Sequence, residues 1–323
     1  MPESPSYSLN QRAADLLAGA RSSLEQLGIR EHQIAGGSCW DCGIEAAGSM
    51  EAGRLLAEVC LGGHGRVEFT PPIAGLPGER GVLVESLAPI AACMASQYAG
   101  WQITGEKYFA MGSGPMRALS AREALFEKLG VRETADQAIG VLETRKYPTE
   151  AVWRDVAAKC GVAPERLTLL VAPTASVAGN VQIVARSLET ALHKMLELGF
   201  DPAAVRSGRG VAPLPPVAAD DMQGIGRTND AVLYGARVTV WVTGDDAYLA
   251  EFVERVPSSA SHDHGVPFAQ IFARYNHDFY KIDPHLFSPA RITLVNVTTG
   301  RSFSAGVFAP EVLRKSFGEH TGR

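Results

Sequence analysis

The stretch IVARSLETALHKM, residues 183–195, sets a guanidinium, Arg186, and a carboxylate, Glu189, one helical turn apart in a largely apolar segment. At about 100° per residue, Val181, Val184, Ala185, Leu188, Leu192, Met195 and Leu196 gather on one side of a helical wheel. Ser187, Thr190, Lys194 and Glu197 lie nearly opposite and are expected to face water. Gln182, Arg186, Glu189 and His193 form a third strip along the edge of the apolar stripe, where a cleft would open. Taken alone, the i,i+3 spacing favours a solvated ion pair worth roughly 0.2–0.5 kcal/mol. On the rim of a pocket the pair does more: Arg186 fixes the rotamer of Glu189 and favours its charged form, giving a carboxylate that can take a proton from an attacking water. That would be the base of a hydrolase.

Other clusters offer different chemistry. Cys39 and Cys42 of CWDC have the spacing of a redox dithiol, but such a pair belongs at a strand-to-helix turn, and Cys42 is followed by GIEAAGSMEAG. With Cys60 and His64 the same thiols supply four soft ligands for zinc, although the second pair is not the usual CxxC. The competing reading is small buried cysteines in a core strand. His262 and His264 in SHDHG sit among turn formers and read as part of a solvated loop more readily than as a metal pair. FAMGSGPMRAL, residues 109–119, lacks the G-x-x-x-x-G-K-[ST] and G-x-G-x-x-G patterns, and Pro115 removes an amide that a phosphate cradle needs. Its turn would still offer N–H groups and Arg117 at a helix start, suited to an anionic or carbonyl-rich ligand.

The elements that must position these groups follow from periodicity and punctuation. With 323 residues the chain is long for one domain and favours two. Hydrophobic residues at 46% and charged residues at 20% are enough for real cores. A formal charge of −5 with scattered Lys and Arg excludes a basic track for nucleic acid. Apolar runs fall short of the roughly 18 residues of a membrane span, and the N-terminus lacks a basic segment followed by an apolar run, so a cytoplasmic chain is expected. Five cysteines, odd and sparse, are expected to stay reduced.

Helices are expected over residues 8–29, 49–61, 149–161 and 180–200, and strands at RGVLVESL, ADQAIGVLET and ERLTLLVAPT, with a strand and turn within EHQIAGGSCWDCGI. DAVLYGARVTVWVTG reads as a strand pair, and ARITLVNVTTGRSFSAGVF as a hairpin turning at Thr299-Gly300. The alternation predicts a mixed α/β (α+β) fold. The Pro/Gly-rich TPPIAGLPGERG, residues 70–81, marks a crossing, giving one expected domain of residues 1–87 with 268–323, discontinuous in sequence, and a second of 88–267 carrying the Arg186–Glu189 helix.

Read together, DCGIEAAGSMEAGRLLAEVCLGG, FAMGSGPMRAL, LVAPTASVAGNVQIVARSLETALHKM, GRTNDAVLYGARV, PSSAS and HDFYKIDPHLFSPA resemble the methenyltetrahydromethanopterin cyclohydrolase family. These are long segments in the right order. The resemblance implies hydrolysis of a 5,10-methenyl pterin to its N5-formyl derivative. It also implies an α/β subunit of two domains with a large pocket between them, a homotrimer, and no metal or prosthetic group. It assigns Arg186 and Glu189 as the catalytic pair, with Glu143 of GVLETRKYP beside them. Gly112, Ser113, Gly114, Arg117, Thr174, Asn180, Thr228 and Asn229 then fall in polar, Gly-rich loops expected to line the pterin pocket, where Asn and backbone groups can pair with a pyrimidinone edge.

Against the archaeal pattern the chain departs at Cys39, which those members do not share, and at Tyr98, where they carry Lys. The first departure weakens the zinc and dithiol readings. The second removes a cation from the cofactor's anionic tail, in keeping with a methylotrophic bacterium that uses a dephosphorylated pterin in formaldehyde oxidation. The competing classes are a non-catalytic pterin-binding or zinc-stabilised structural protein, and a tetrahydrofolate cyclohydrolase, which would need a different fold.

Overall fold

The computed structural model describes residues 7–276, 278 and 281–318; His277, Phe279 and Tyr280 of the HDFYKIDPHLFSPA segment lie outside the described residues. The strands are β1 (Arg30–Ile34), β2 (Gly37–Asp41), β3 (Gly65–Thr70), β4 (Gly81–Ser86), β5 (Trp101–Gly105), β6 (Tyr108–Ser113), β7 (Ala138–Glu143), β8 (Leu167–Ala172), β9 (Val205–Pro213), β10 (Arg237–Val242), β11 (Arg291–Asn296) and β12 (Ser302–Gly306). The helices are α1 (Leu9–Ala20), α2 (Leu24–Leu27), α3 (Met50–Cys60), α4 (Met116–Ser120), α5 (Leu125–Leu129), α6 (Glu150–Cys160), α7 (Val177–Val184), α8 (Ser187–Glu197), α9 (Asp221–Gly235), α10 (Asp246–Val253), α11 (Phe268–Arg274) and α12 (Pro310–Phe317). The fold is mixed α/β, as the alternation predicts.

The chain divides into two compact units, the first holding residues up to Arg66 with Ile90–Gln182, the second Val67–Pro89 with Ile183 onward. The sequence places its crossings elsewhere, at 87/88 and 267/268. The difference has a physical origin: β4 pairs with β9, more than a hundred residues away, and no local punctuation reports a non-local pairing.

The first unit is a six-stranded sheet in the order β1-β2-β8-β7-β6-β5, with β2, β8 and β7 parallel. Successive side chains alternate between its faces. Trp40, Ile139, Val141, Leu170 and Ala172 pack with Leu55, Leu56 and Val59 of α3. Cys39, Ala138, Leu142, Leu169 and Val171 pack with Trp153, Val156 and Ala157 of α6. Helices on both faces explain why AIGVLE and LTLLVA read as nearly continuous apolar runs. Ser49 and Thr149 start α3 and α6 by accepting the amides of Ala52 and Val152 at 3.0 and 3.3 Å.

The second unit is a six-stranded sheet in the order β12-β11-β10-β9-β4-β3. β10 and β11 are parallel, whereas the pairs β4–β9, β9–β10 and β11–β12 are antiparallel. The hairpin at Thr299-Gly300 forms as expected, with Gly300 at φ 74°. Val238, Val240, Ile292 and Leu294 are buried on one face, on which α8, α9 and α10 pack. The opposite face presents Arg209, Arg237 and Arg291.

Several expected elements take another form. The region 8–29 is three short pieces, α1, a 3₁₀ turn at Arg21–Ser23 and α2. DAVLYG is the end of α9, not a strand; its apolar run is the buried face of a helix started by Asp220, which accepts the Gln223 amide at 2.8 Å. The helix expected over 180–200 breaks at Ala185–Arg186 into α7 and α8. The wheel therefore loses its phase: Ser187 and Lys194, expected in water, are 0% and 2% exposed. Lys194 Nζ donates to the His285 carbonyl at 2.8 Å, and burial pushes its pKa down to about 8.

Two glycines on β9 let α8 lie so close. A Cβ at Gly208 would stand 2.5 Å from Leu188 Cδ1, and one at Gly210 would stand 2.5 Å from Ser187 Oγ and 3.0 Å from the Leu188 amide nitrogen. Backbone on one side of that contact leaves little room to yield. Gly210→Ala is therefore expected to lower stability by about 1–3 kcal/mol in urea unfolding, and an unchanged midpoint would refute the close approach.

Candidate active site

In the first unit the C-terminal ends of the parallel strands carry the polar groups, the usual address for a ligand in such a sheet. Glu143 ends β7, Ala172 ends β8, and the two residues are register partners. Glu143 accepts a short hydrogen bond from the hydroxyl of Thr174, which is 3% exposed. Two candidate residues from separate sequence segments thus meet. Asn180 follows on α7, buried, with its amide donating to the Ser176 carbonyl at 2.9 Å.

The end of β2 holds Asp41, which the sequence reading passed over. Its carboxylate accepts the amides of Gly43, Ile44, Glu45 and Ala46 at 2.6–2.9 Å and the Tyr147 hydroxyl at 2.7 Å. Burial alone would raise this carboxyl, but the Tyr147 and backbone hydrogen bonds outweigh it and hold the pKa below the usual value. The readable signal was an aspartate two residues before a glycine, the pattern of a side chain that closes a turn on its own backbone.

Gly112, Ser113 and Gly114 lie deeper along the sheet, with Ser113 opposite Val141, two residues before Glu143. Gly114 adopts φ 92°, and its amide donates to the Ser96 carbonyl at 2.9 Å. Ser96 belongs to a π-helical turn, Ile90–Gln97, a rare form that the sequence does not announce and that recurs at functional sites. Arg117 is fully buried: Nε donates to Glu123 at 2.8 Å, Nη1 donates to the carbonyls of Met94 and Ser96 at 2.9 and 3.2 Å, and the guanidinium lies 5.1 Å from the Tyr98 ring. It braces the turn from beneath.

In the second unit Arg186 is the N-cap residue of α8 and Glu189 the third residue of its first turn. They are 8% and 6% exposed, so neither is placed like a member of a surface ion pair. The Arg186 amide donates to Ile183 at 3.0 Å, and its carbonyl accepts from the Thr190 amide at 2.8 Å and the Thr190 hydroxyl at 2.9 Å. These bonds hold Arg186 at φ −85°, ψ 4°, a sparsely populated region frequent at active sites. At the start of α8 the helix dipole favours a carboxylate.

Thr228 and Asn229 lie within α9, not in a loop, and both bond back to their own helix: Thr228 Oγ1 donates to Gly224 O at 2.8 Å, and Asn229 Nδ2 donates to Ile225 O at 2.8 Å. Thr228 is fully buried and Asn229 half-buried. The zinc set is not assembled. Cys39 packs on the opposite face of the sheet from Cys42 and Cys60, and His64 Nε2 sits 2.5 Å from the Tyr7 carbonyl. Burial pushes the Cys39 thiol up to about 12 and raises Cys42 as well, the reverse of what a redox thiol requires. In SHDHG, Asp263 is buried and accepts the Tyr275 hydroxyl at 3.1 Å, while His262 Nδ1 lies 3.2 Å from Asp283.

The profile of the family described as "Cyclohydrolase (MCH)" matches residues 8–317. The chain belongs to this family. It is 48% identical over 290 residues to the methenyltetrahydromethanopterin cyclohydrolase of Rhodopirellula baltica, covering 88% of this chain and 87% of the relative. It is 46% identical over 325 residues to that of Methylobacterium organophilum, covering 98% and 100%. An archaeal relative, the methenyltetrahydromethanopterin cyclohydrolase of Methanosarcina barkeri, is 44% identical over 287 residues, covering 88% and 89%.

This member of the cyclohydrolase family carries a titratable group next to Asn229. Asp230 is buried, and burial pushes its pKa up to about 7 against the opposing hydrogen bonds from Ser316 and the Phe268 amide. Because the folded pKa exceeds the unfolded one, the stability this group contributes is complete below pH about 4 and is lost as pH rises toward 7. Asp230→Asn is expected to gain stability relative to wild type across that window and to hold a constant difference above it. A difference independent of pH in urea unfolding would remove the assignment.

Proposed function

We propose that the chain hydrolyses 5,10-methenyltetrahydromethanopterin, or its dephospho form, to the N5-formyl derivative, with Glu189 as the base that activates water. The observation that carries this reading is the burial of Glu189 in the first turn of α8 behind Arg186 at the cap, in a chain that the cyclohydrolase family profile matches over residues 8–317.

The methenyl carbon is already electrophilic, because its positive charge is shared between N5 and N10. What the protein must supply is a placed water and a base. As the water oxygen bonds to the bridging carbon, Glu189 takes one of its protons, leaving a hydroxylated tetrahedral carbon. Delivery of that proton to N10 lets the C–N10 bond break with its electron pair on nitrogen. Loss of the hydroxyl proton to solvent then leaves formyl on N5. One water is consumed and one proton released, as conversion of a cation to a neutral product requires.

Arg186 acts by positioning Glu189, and Glu143 is the second carboxylate of the set. Gly112, Ser113, Gly114, Thr174, Asn180, Thr228 and Asn229 are proposed as pterin-pocket residues, with Arg117 as the brace of the π-helical turn whose Ser96 carbonyl accepts the Gly114 amide. Thr228, bonded within its helix, shapes the pocket wall. The pterin is the substrate, and the proposed assembly is a cytoplasmic homotrimer. Sedimentation of the purified protein as a monomer or dimer would overturn that assembly.

The decisive comparison is the decay of the methenyl chromophore with wild type and with Glu189→Gln. A general base contributes about 10²–10⁴ in rate, so the variant is expected to lose at least about 10² while keeping its circular dichroism and unfolding midpoint. A folded variant with near-full turnover would sink Glu189 as the base; no acceleration by wild type would sink the activity.

A further inference from the structure

The open face of the second unit's sheet is not uniformly polar. One cross-strand row runs Leu83, Val211, Arg237, Arg291 over β4, β9, β10 and β11, so that two guanidinium-bearing residues are direct register partners. Like charges set opposite each other on neighbouring strands repel and weaken the sheet. The adjacent row runs Glu85, Arg209, Thr239, Thr293, and there Glu85 compensates Arg209 at 3.1 Å. Arg237 has no ion-pair partner among the described residues, and Arg291 lies with its guanidinium 5.3 Å from the Phe308 ring.

These two arginines line a cavity of about 610 Å³. Its apolar wall is formed by Pro71, Pro72, Ile73, Leu83, Val211 and Phe308. That volume suits a small molecule. Along that row the lining is apolar at one end and doubly cationic at the other, and the third lining arginine, Arg209 of the adjacent row, is already paired with Glu85. Guanidinium groups match tetrahedral oxyanions by paired N–H donation.

We infer that this cavity is a binding site for a small phosphorylated molecule with an apolar body, its phosphoryl group held by Arg237 and Arg291 and its body laid against the Pro71–Leu83–Val211 wall. The site is separate from the Glu189 chemistry. Gly208 and Gly210 of β9 face α8, whereas Arg209 and Val211 of the same strand face the cavity, so the ligand sits across the sheet from the catalytic helix. A bound dianion also removes the repulsion between the paired arginines, which couples occupancy to the order of β10 and β11.

Calorimetric titration of the full-length protein with phenyl phosphate and with inorganic phosphate tests the site. Saturable binding of one equivalent is expected, tighter for phenyl phosphate than for inorganic phosphate. Arg237→Gln and Arg291→Gln should each weaken it by about tenfold or more, while Arg274→Gln, an exposed arginine on α11, leaves it unchanged. All three variants should retain wild-type turnover. Absence of saturable binding, or equal binding by the two cavity variants and wild type, overturns the site. Equal affinity for the two phosphates overturns the ligand class. A changed sedimentation coefficient in Arg237→Gln or Arg291→Gln would make the face a contact between copies of the chain and overturn the proposal.

Discussion

The second unit depends on the close approach of the α8 N-terminus to β9. Side chains are missing at Gly208 and Gly210, so Leu188 and Ser187 rest almost on strand backbone. The approach takes Ser187 out of water and, with the Arg186 carbonyl bound twice by Thr190, fixes where the helix begins. Arg186 then caps the helix instead of lying within it, and Glu189 enters the first turn. A continuous helix would have given the same spacing in sequence but a different direction for both side chains. The chemistry proposed for Glu189 is therefore set by the packing of Ser187 and Leu188, two residues and one residue before it, against β9.

The first unit solves a different problem, how to hold loops at the ends of three parallel strands. Asp41 does this electrostatically, gathering four consecutive loop amides and a tyrosine hydroxyl on one carboxylate. Glu143 and Thr174 do it pairwise. A buried carboxylate is costly unless it is fully hydrogen-bonded, and Asp41 meets that condition with groups that would otherwise be orphaned themselves. Arg117 repeats the logic with opposite sign, a buried cation satisfied by Glu123 and two carbonyls of the π-helical turn.

What could be read from the sequence follows from what is local. The strands AIGVLE and LTLLVA, the capped helices at Ser49 and Thr149 and the Thr299-Gly300 hairpin are all written in short-range pattern, and the resemblance brought Glu143, Arg186 and Glu189 forward. The break at Arg186 was not legible, because neither Gly nor Pro marks it; its cause lies on β9. Nor was the end of α9, where an apolar VLY run serves a buried helix as well as a strand. The partition of the chain escaped for the same reason, since 67–89 joins the second unit through pairing of β4 with β9. Thr228 and Asn229 looked like loop residues because Gly224 and Gly226 precede them, yet those glycines sit inside a helix packed against α11, where a Cβ at Gly226 would stand 3.2 Å from Ala269.

β9 shows how one strand can serve two surfaces. Its alternation is not the simple apolar and polar pattern of a half-buried strand: the inward positions 208 and 210 are glycine, chosen by the helix that covers them, and the outward positions 209 and 211 are Arg and Val. Small residues inward leave little side chain to anchor the strand, so its order depends on its hydrogen-bonded neighbours β4 and β10. Repulsion between Arg237 and Arg291 acts on β10 and β11, one strand further along. The arginine face and the seat of α8 are thus the two sides of one ladder of paired strands, β4, β9, β10 and β11.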